Sequence, residues 1–261
     1  MTSFTIVTIT FNAASALPRT LESVLAQSHP AIEHIIVDGA SADGTVSLAE
    51  DYKRRSDAAA NGHAVTITSE PDRGLYDAMN KGLARATGDY VCFLNAGDFL
   101  PSPGTIAGIA RAAEDAARGG CQLPAVLYGD TDIVDSSGRY LHPRRLRPPR
   151  RLTWRSFRMG MLVCHQAFYA RTDIARRTPY NLAYKYSADV DWCIRVMREA
   201  ARLGLPLTDT GATIACYTEE GQTTIHHRES LRERFRVMAS HYGLLQTIAL
   251  HGWFVVRNIF H

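Results

Sequence analysis

The chain has 261 residues, 46% of them hydrophobic, with 29 basic and 26 acidic side chains for a net charge of +3. This is enough apolar material for a substantial core, which excludes a disordered chain, and no nucleic-acid partner is expected. Five single cysteines, Cys92, Cys121, Cys164, Cys193 and Cys216, form no CxxC pair, which excludes a cysteine metal or disulfide framework and predicts reduced, buried thiols in a cytosolic protein.

In chain order, MTSFTIVTITF lacks a basic leader and a small-residue cleavage site, so Phe4–Thr10 is expected to be a first strand in a cytoplasmic protein. Alternation of β-branched and apolar residues predicts a second strand at Ile32–Asp38, with strands at Val65–Thr68, Tyr90–Leu94 and Ala125–Tyr128 to follow. Helical spacing falls between them at Ser15–Gln27, Val46–Arg55, Leu75–Ala86 and Thr105–Arg118. Such β-α alternation predicts an α/β fold with a mostly parallel, Rossmann-like sheet flanked by helices. The Pro- and Arg-rich segment Asp135–Arg158 reads as a long, mobile connection. Helices are expected again at Asp189–Leu203 and Glu229–Tyr242, and the apolar tail Leu244–Phe260 is too interrupted to span a membrane.

Charge divides the chain. Residues 1–130 carry 9 basic and 15 acidic side chains, residues 131–261 carry 20 and 11, and nine arginines fall between Asp135 and Asp173 with no carboxylate among them. A patch of this kind attracts phosphate-bearing partners, a lipid-diphosphate acceptor or an anionic membrane, unless it is only a solvated loop. The aromatic tail reads either as an interfacial helix or as a packing surface.

Acidic and amide residues gather where the predicted strands end: Thr10 and Asn12, Asp38, Glu70 and Asp72, Asn95 and Asp98. Parallel strands would bring these ends to one crevice, where ligands of such sheets bind. Ionised carboxylates only accept hydrogen bonds, so Asp38 suits a base N–H, and Asp72 a base or a ribose. Neither GxGxxG nor GxxxxGK[ST] occurs, so a nicotinamide oxidoreductase or a P-loop NTPase is excluded. A bound diphosphate would then need arginines or a divalent cation, Mn²⁺ or Mg²⁺, with Asp98 as the metal ligand. His226 and His227 could approach the same metal, or simply mark a solvated helix entrance.

The runs TIVTITFN, IEHIIVDGASADGT and SEPDRGLYDAMNKGLARATGDYVCFLNAGD, in this order, resemble the donor-binding half of the family 2 glycosyltransferases of GT-A fold. The LNAGD, HQAFY and SADVDW segments are most similar to bacterial members that build exopolysaccharide or lipopolysaccharide units of the colanic-acid type. The resemblance implies nucleotide contacts from Thr10, Asn12, Asp38, Asp72 and Asn95, Lys81 close to the donor, and His165 and Gln166 on the acceptor or phosphate side. Two departures stand out. The family's DxD-type cluster is here Asn95-Ala96-Gly97-Asp98, which loses a charge, and its Glu-Asp pair is Ala188-Asp189, which keeps the catalytic aspartate.

One carboxylate is sufficient for inverting transfer, with Asp189 removing the proton of the attacking hydroxyl. Asp191, about 200° further around a helix, cannot share its face and is assigned to capping or structure. Asp43 and Gly44 read as a turn and helix start. The expected organisation is a nucleotide-sugar-binding half (1–130), an acceptor and catalytic-base half (131–228), and a helical tail (229–261) contacting a membrane surface or a partner. The expected function is transfer from a nucleoside-diphosphate sugar to a glycan or lipid-linked acceptor at the inner face of the membrane, with self-association left open. The competing expectation is a non-catalytic sugar-nucleotide-binding or scaffold subunit, motivated by the two lost acidic residues.

Overall fold

The computed structural model describes residues 1–118, 122–218 and 227–259, the side chains of 227 and 253–259 excepted. Its first half alternates β1 (Phe4–Thr10), α1 (Leu17–Leu25), β2 (Ile32–Asp38), α2 (Thr45–Ala59), β3 (Ala64–Ser69), α3 (Leu75–Arg85), β4 (Tyr90–Phe93) and α4 (Thr105–Ala117). Both β1 and β2 are nearly continuous apolar or β-branched runs buried almost throughout, as strands covered by helices on both faces must be.

The second half comprises β5 (Val126–Val134), β6 (Tyr140–Pro143), 3₁₀ turns at Trp154–Met159 and His165–Ala167, and β7 (Phe168–Arg171). It continues through α5 (Thr172–Arg177), α6 (Ala188–Arg202), β8 (Leu207–Thr218), α7 (His227–Tyr242) and α8 (Leu244–Ile259). The eight strands among the described residues form one sheet ordered β3-β2-β1-β4-β7-β5-β6, with β8 also pairing β5. Strands β1 to β4 are mutually parallel, β5 and β8 run the same way, and β7 is reversed between β4 and β5. The expectation of a mostly parallel sheet therefore holds, with β6, β7 and β8 added to the strands read from sequence. Because β7 is reversed, its beginning faces the rim formed by the ends of β1, β2, β3 and β4.

A positive-φ turn and a close approach place α3 at the rim. Gly74, just before α3, has φ +116°, a conformation that favours glycine. Gly82 within α3 lies so near β1 that a Cβ there would come 2.3 Å from Val7 Cγ1. Beneath the rim an aromatic cluster joins α3, β4 and α6: Tyr180 stacks on Trp192 at 4.9 Å and on Tyr76 at 5.5 Å, and Phe93 meets Trp192 edge-on at 5.5 Å.

Residues 135–158 are not a plain connection. β6 pairs antiparallel with β5, Arg144 donates to the carbonyls of Leu146 (2.7 Å) and Met161 (2.8 Å), and Arg147 pairs with Asp130 at 2.8 Å. The described cysteines, Cys92, Cys164, Cys193 and Cys216, are free and buried, as expected, while Cys121 lies outside the described residues. Among the described residues no helix is long and apolar enough to cross a membrane.

Candidate active site

Strand register builds the first part of the rim. Thr10, Asp38 and Ser69 stand in one row across the ends of β1, β2 and β3. Asp38 Oδ1 accepts the hydroxyls of Thr10 (2.9 Å) and Ser41 (2.5 Å), and Oδ2 accepts Ser41 N–H (2.9 Å) and the Ser69 hydroxyl (2.7 Å). Burial acts to raise the Asp38 pKa, but these donors outweigh it and hold the group below the ordinary carboxylate value.

Asn12, at φ 47°, ties the β1–α1 loop to the β2–α2 loop: its N–H donates to the Ser41 hydroxyl (2.8 Å) and its Oδ1 accepts Ala42 N–H (2.9 Å). Asp43 has the turn role expected of it, accepting Thr45 N–H at 2.9 Å where α2 begins. Lys81, one and a half turns into α3, reaches back to Asp72 at 2.7 Å and Glu70 at 3.1 Å, and also donates to the Pro71 carbonyl at 2.9 Å. Asp72 stands against Gly39, where a Cβ would lie 3.1 Å from Asp72 Oδ2. The sequence-predicted residues Asp38, Asp72 and Lys81 thus lie along one stretch of the rim.

The second part is carried by the loop after β4, the turn before β7 and the first turn of α6. Asn95 Nδ2 donates to His165 Nε2 at 3.2 Å, which leaves the ring proton on Nδ1, 3.4 Å from Asp189 Oδ2. Tyr76 donates its hydroxyl to Asp189 Oδ1 at 3.2 Å. Asn95, His165, Asp189 and Tyr76 therefore form one connected polar chain. Ser187 stands at the N-cap position of α6, so Asp189 is free of that duty. Burial acts to raise the Asp189 pKa, but the His165 contact and the nearby Arg234 charge outweigh it and keep the carboxyl below its usual range. It is ionised at neutral pH, as a proton acceptor must be. Asp191 has the structural role assigned from sequence: it meets Arg195 at 2.7 Å and His241 at 2.8 Å, tying α6 to α7.

Asp98 is buried and its pKa is pushed up to about 6, chiefly by desolvation. Its Oδ2 accepts Gln166 Nε2 at 2.7 Å, and its Oδ1 receives only a long 3.3 Å contact from Thr218 N–H at the end of β8. Asn95 Oδ1 is buried with no hydrogen-bond partner among the described residues. Two oxygens with unspent capacity, three residues apart, fit a divalent cation that takes its other ligands from substrate phosphates and water. Among the described residues no group of three or more His, Cys, Asp and Glu makes a self-sufficient metal cage. His226 and the His227 side chain, expected near this point, lie outside the described residues.

Several participants were not read from sequence. Ser69 could have been found, since parallel pairing of β2 and β3 places it beside Asp38. Tyr76 sits inside the YDAMNKG run but gives no local sign of reaching Asp189. Thr20, which accepts Gly97 N–H (2.9 Å) and donates to the Asp98 carbonyl (2.7 Å), acts across 78 residues.

Comparison with known proteins gives the family and the fold. The family model described as "Glycosyl transferase family 2" matches residues 5–177. The chain is 32% identical over 250 residues, 95% of its length and 89% of the relative's, to the PGL/p-HBAD biosynthesis glycosyltransferase of Mycobacterium tuberculosis. It is 40% identical over 93 residues to the putative teichuronic acid biosynthesis glycosyltransferase TuaG of Bacillus subtilis, 36% of this chain and 35% of that one.

Among solved structures, S. aureus TarS 1-349 in complex with UDP-GlcNAc superposes with a TM-score of 0.71 at 17% identity, over 97% of this chain and 73% of that one. The mannosyltransferase PcManGT of Pyrobaculum calidifontis, in complex with GDP-Man and Mn²⁺, gives 0.60 at 18%, over 98% and 75%. These likenesses carry the GT-A fold. The family match over most of the chain, and a relative aligned along nearly all of it, carry the activity: this chain belongs to glycosyl transferase family 2 and is a glycosyltransferase.

Proposed function

We propose that this enzyme transfers a sugar with inversion from a nucleoside-diphosphate donor to a lipid-linked glycan acceptor. The observation that carries the reading is the polar chain Asn95–His165–Asp189–Tyr76, which holds a half-buried, ionised carboxylate, with Asn95 and His165 joining it to the loop that carries Asp98. The nucleotide lies along Thr10, Asn12, Asp38, Asp72 and Lys81, with Asn95 at its phosphate end. Asp38 is already saturated by in-chain donors, so it contributes chiefly by holding Thr10, Ser41 and Ser69 in place as the wall of the nucleotide site. Solved neighbours in complex with UDP-GlcNAc and with GDP-Man support a sugar-nucleotide donor.

In the reaction, the acceptor hydroxyl gives its proton to Asp189 while its oxygen bonds to the anomeric carbon. The bond from that carbon to the diphosphate oxygen breaks, and its electron pair leaves with the nucleoside diphosphate. His165, donating from Nδ1, orients Asp189, and Gln166 holds Asp98. Asp98 with Asn95 Oδ1 would hold Mn²⁺ or Mg²⁺, whose chemistry is to neutralise the diphosphate.

For the acceptor, Leu244, Leu245 and Ile248 of α8 are 56%, 85% and 52% exposed, and Arg145, Arg150 and Arg151 of the segment before β7 are exposed as well. Exposed apolar residues with arginines support contact with an anionic membrane face. Co-sedimentation with anionic vesicles, and its absence with neutral ones, tests that part.

The test of the chemistry is Asp189→Asn. Turnover is expected to fall about 100- to 10,000-fold, while affinity for the nucleoside diphosphate stays within about twofold. Unchanged turnover would remove Asp189 as the base.

A further inference from the structure

Helix α7 carries Arg228, Arg232, Arg234 and Arg236. Three of them are exposed, whereas Arg234 is drawn inward, its Nε buried with no hydrogen-bond partner among the described residues. The adjacent residue explains the placement. Glu233 accepts the backbone N–H groups of Lys185, Tyr186 and Ser187 at 2.7, 2.5 and 2.6 Å, so its carboxylate satisfies the chain that leads into α6. Ser187 also donates its hydroxyl to the Ser230 carbonyl at 3.3 Å, and His241 grips Asp191 at the far end of the helix. With α7 locked at both ends, Arg234 is held on the side of Asp189.

The Arg234 charge is felt at Asp189, yet no ion pair within 4 Å joins them, and the Asp189 oxygens are already engaged by Tyr76 and His165. Glu233 is occupied by amides. A guanidinium N–H in a water-poor place without an acceptor is unfavourable until something supplies one, and the guanidinium fork matches phosphoryl oxygens in geometry and charge.

We propose that Arg234 is a substrate-binding residue whose guanidinium takes a phosphoryl oxygen of the reacting pair, from the donor's diphosphate or from a phosphate on the acceptor. The proposal rests on the glycosyl-transfer reading of this rim, and its test is a binding measurement that does not depend on turnover. An unchanged rate in Asp189→Asn would sink the base assignment and leave the Arg234 result standing, and the reverse also holds.

The experiment is calorimetric titration of the full chain and its variants with UDP, GDP and dTDP in the presence of Mn²⁺, and with hexyl phosphate. Arg234→Gln is expected to weaken whichever of these anions the unaltered protein binds by about 10- to 100-fold, Arg234→Lys by less, and the exposed control Arg236→Gln not at all. A loss confined to the nucleoside diphosphates assigns the contact to the donor, and one confined to hexyl phosphate assigns it to the acceptor. Thermal melting of the ligand-free variants checks folding, and if Arg234→Gln does not fold, Arg234→Lys decides. Equal affinities in the unaltered and substituted proteins overturn the proposal, as does an unaltered protein that binds none of these anions.

Discussion

At the ends of β1, β2 and β3 the polar groups answer one another within the chain: Asp38 accepts four donors and Asp72 is held by Lys81. A short distance along the same rim, past β4, Asn95 Oδ1 and Arg234 Nε have no partner among the described residues, and Asp98 keeps a raised pKa of about 6. Both stretches are lined with the same residue types. One is finished by folding, and the other keeps polar capacity that, on the proposed reading, a ligand completes. A pocket wall that must hold its shape in the empty enzyme needs the first kind of wiring, and the place where charge changes hands needs the second.

Removing the hub of the finished stretch should cost most. Asp38→Ala strands three hydroxyls and a half-buried N–H that converge on one carboxylate, and it is expected to destabilise the fold by about 4 kcal/mol in urea unfolding, whereas Asn95→Ala should cost less than about 1 kcal/mol. Equal costs would erase the distinction between the two stretches.

Asp98 sharpens it through pH. Its folded pKa lies above the ordinary value of 3.8, so its contribution favours the fold at pH below about 4 and is lost as pH rises through about 6. The stability gap between the unaltered protein and Asp98→Asn should therefore shift by about 2.5 kcal/mol against the unaltered protein between pH 4 and pH 8. Added Mn²⁺ should stabilise the unaltered protein more at pH 7.5 than at pH 5, because the ionised carboxylate is the ligand. A pH-independent gap would place the carboxylate in a polar, solvated setting.

Asn95→Asp supplies the charge missing from this stretch and is expected to tighten Mn²⁺ binding about tenfold by titration calorimetry. The smallest effect belongs to the surface: Arg54→Ala breaks only the exposed contact with Asp51 and should move the melting temperature by less than about 2 °C.

The finished stretch was also the legible one. β1 and β2 occupy the limits read from their alternating β-branched runs, and the row Thr10–Asp38 follows from parallel pairing alone. Beyond β4 the signals weaken for physical reasons. β7 is a four-residue strand whose direction is set by its neighbours, and β8 carries Asp209, Thr210 and Gly211 with register shifts against β5, so neither shows strand periodicity. His165, Gln166 and Asp189 were reached only through family resemblance. Tyr76 and Thr20 act at separations of 113 and 78 residues, and Glu233 binds backbone amides that any sequence would offer. Contacts of that kind are created by tertiary packing and leave no local pattern.

The most direct test is a crystal structure of the enzyme with whichever of UDP, GDP or dTDP binds it, together with Mn²⁺. The account predicts the diphosphate at the rim between Asp98 and Asp189, with the cation about 2.2 Å from an Asp98 oxygen and Asn95 beside it. A nucleotide seated instead in the groove between α1 and α2, against Leu21, Tyr52 and Arg55, would contradict it.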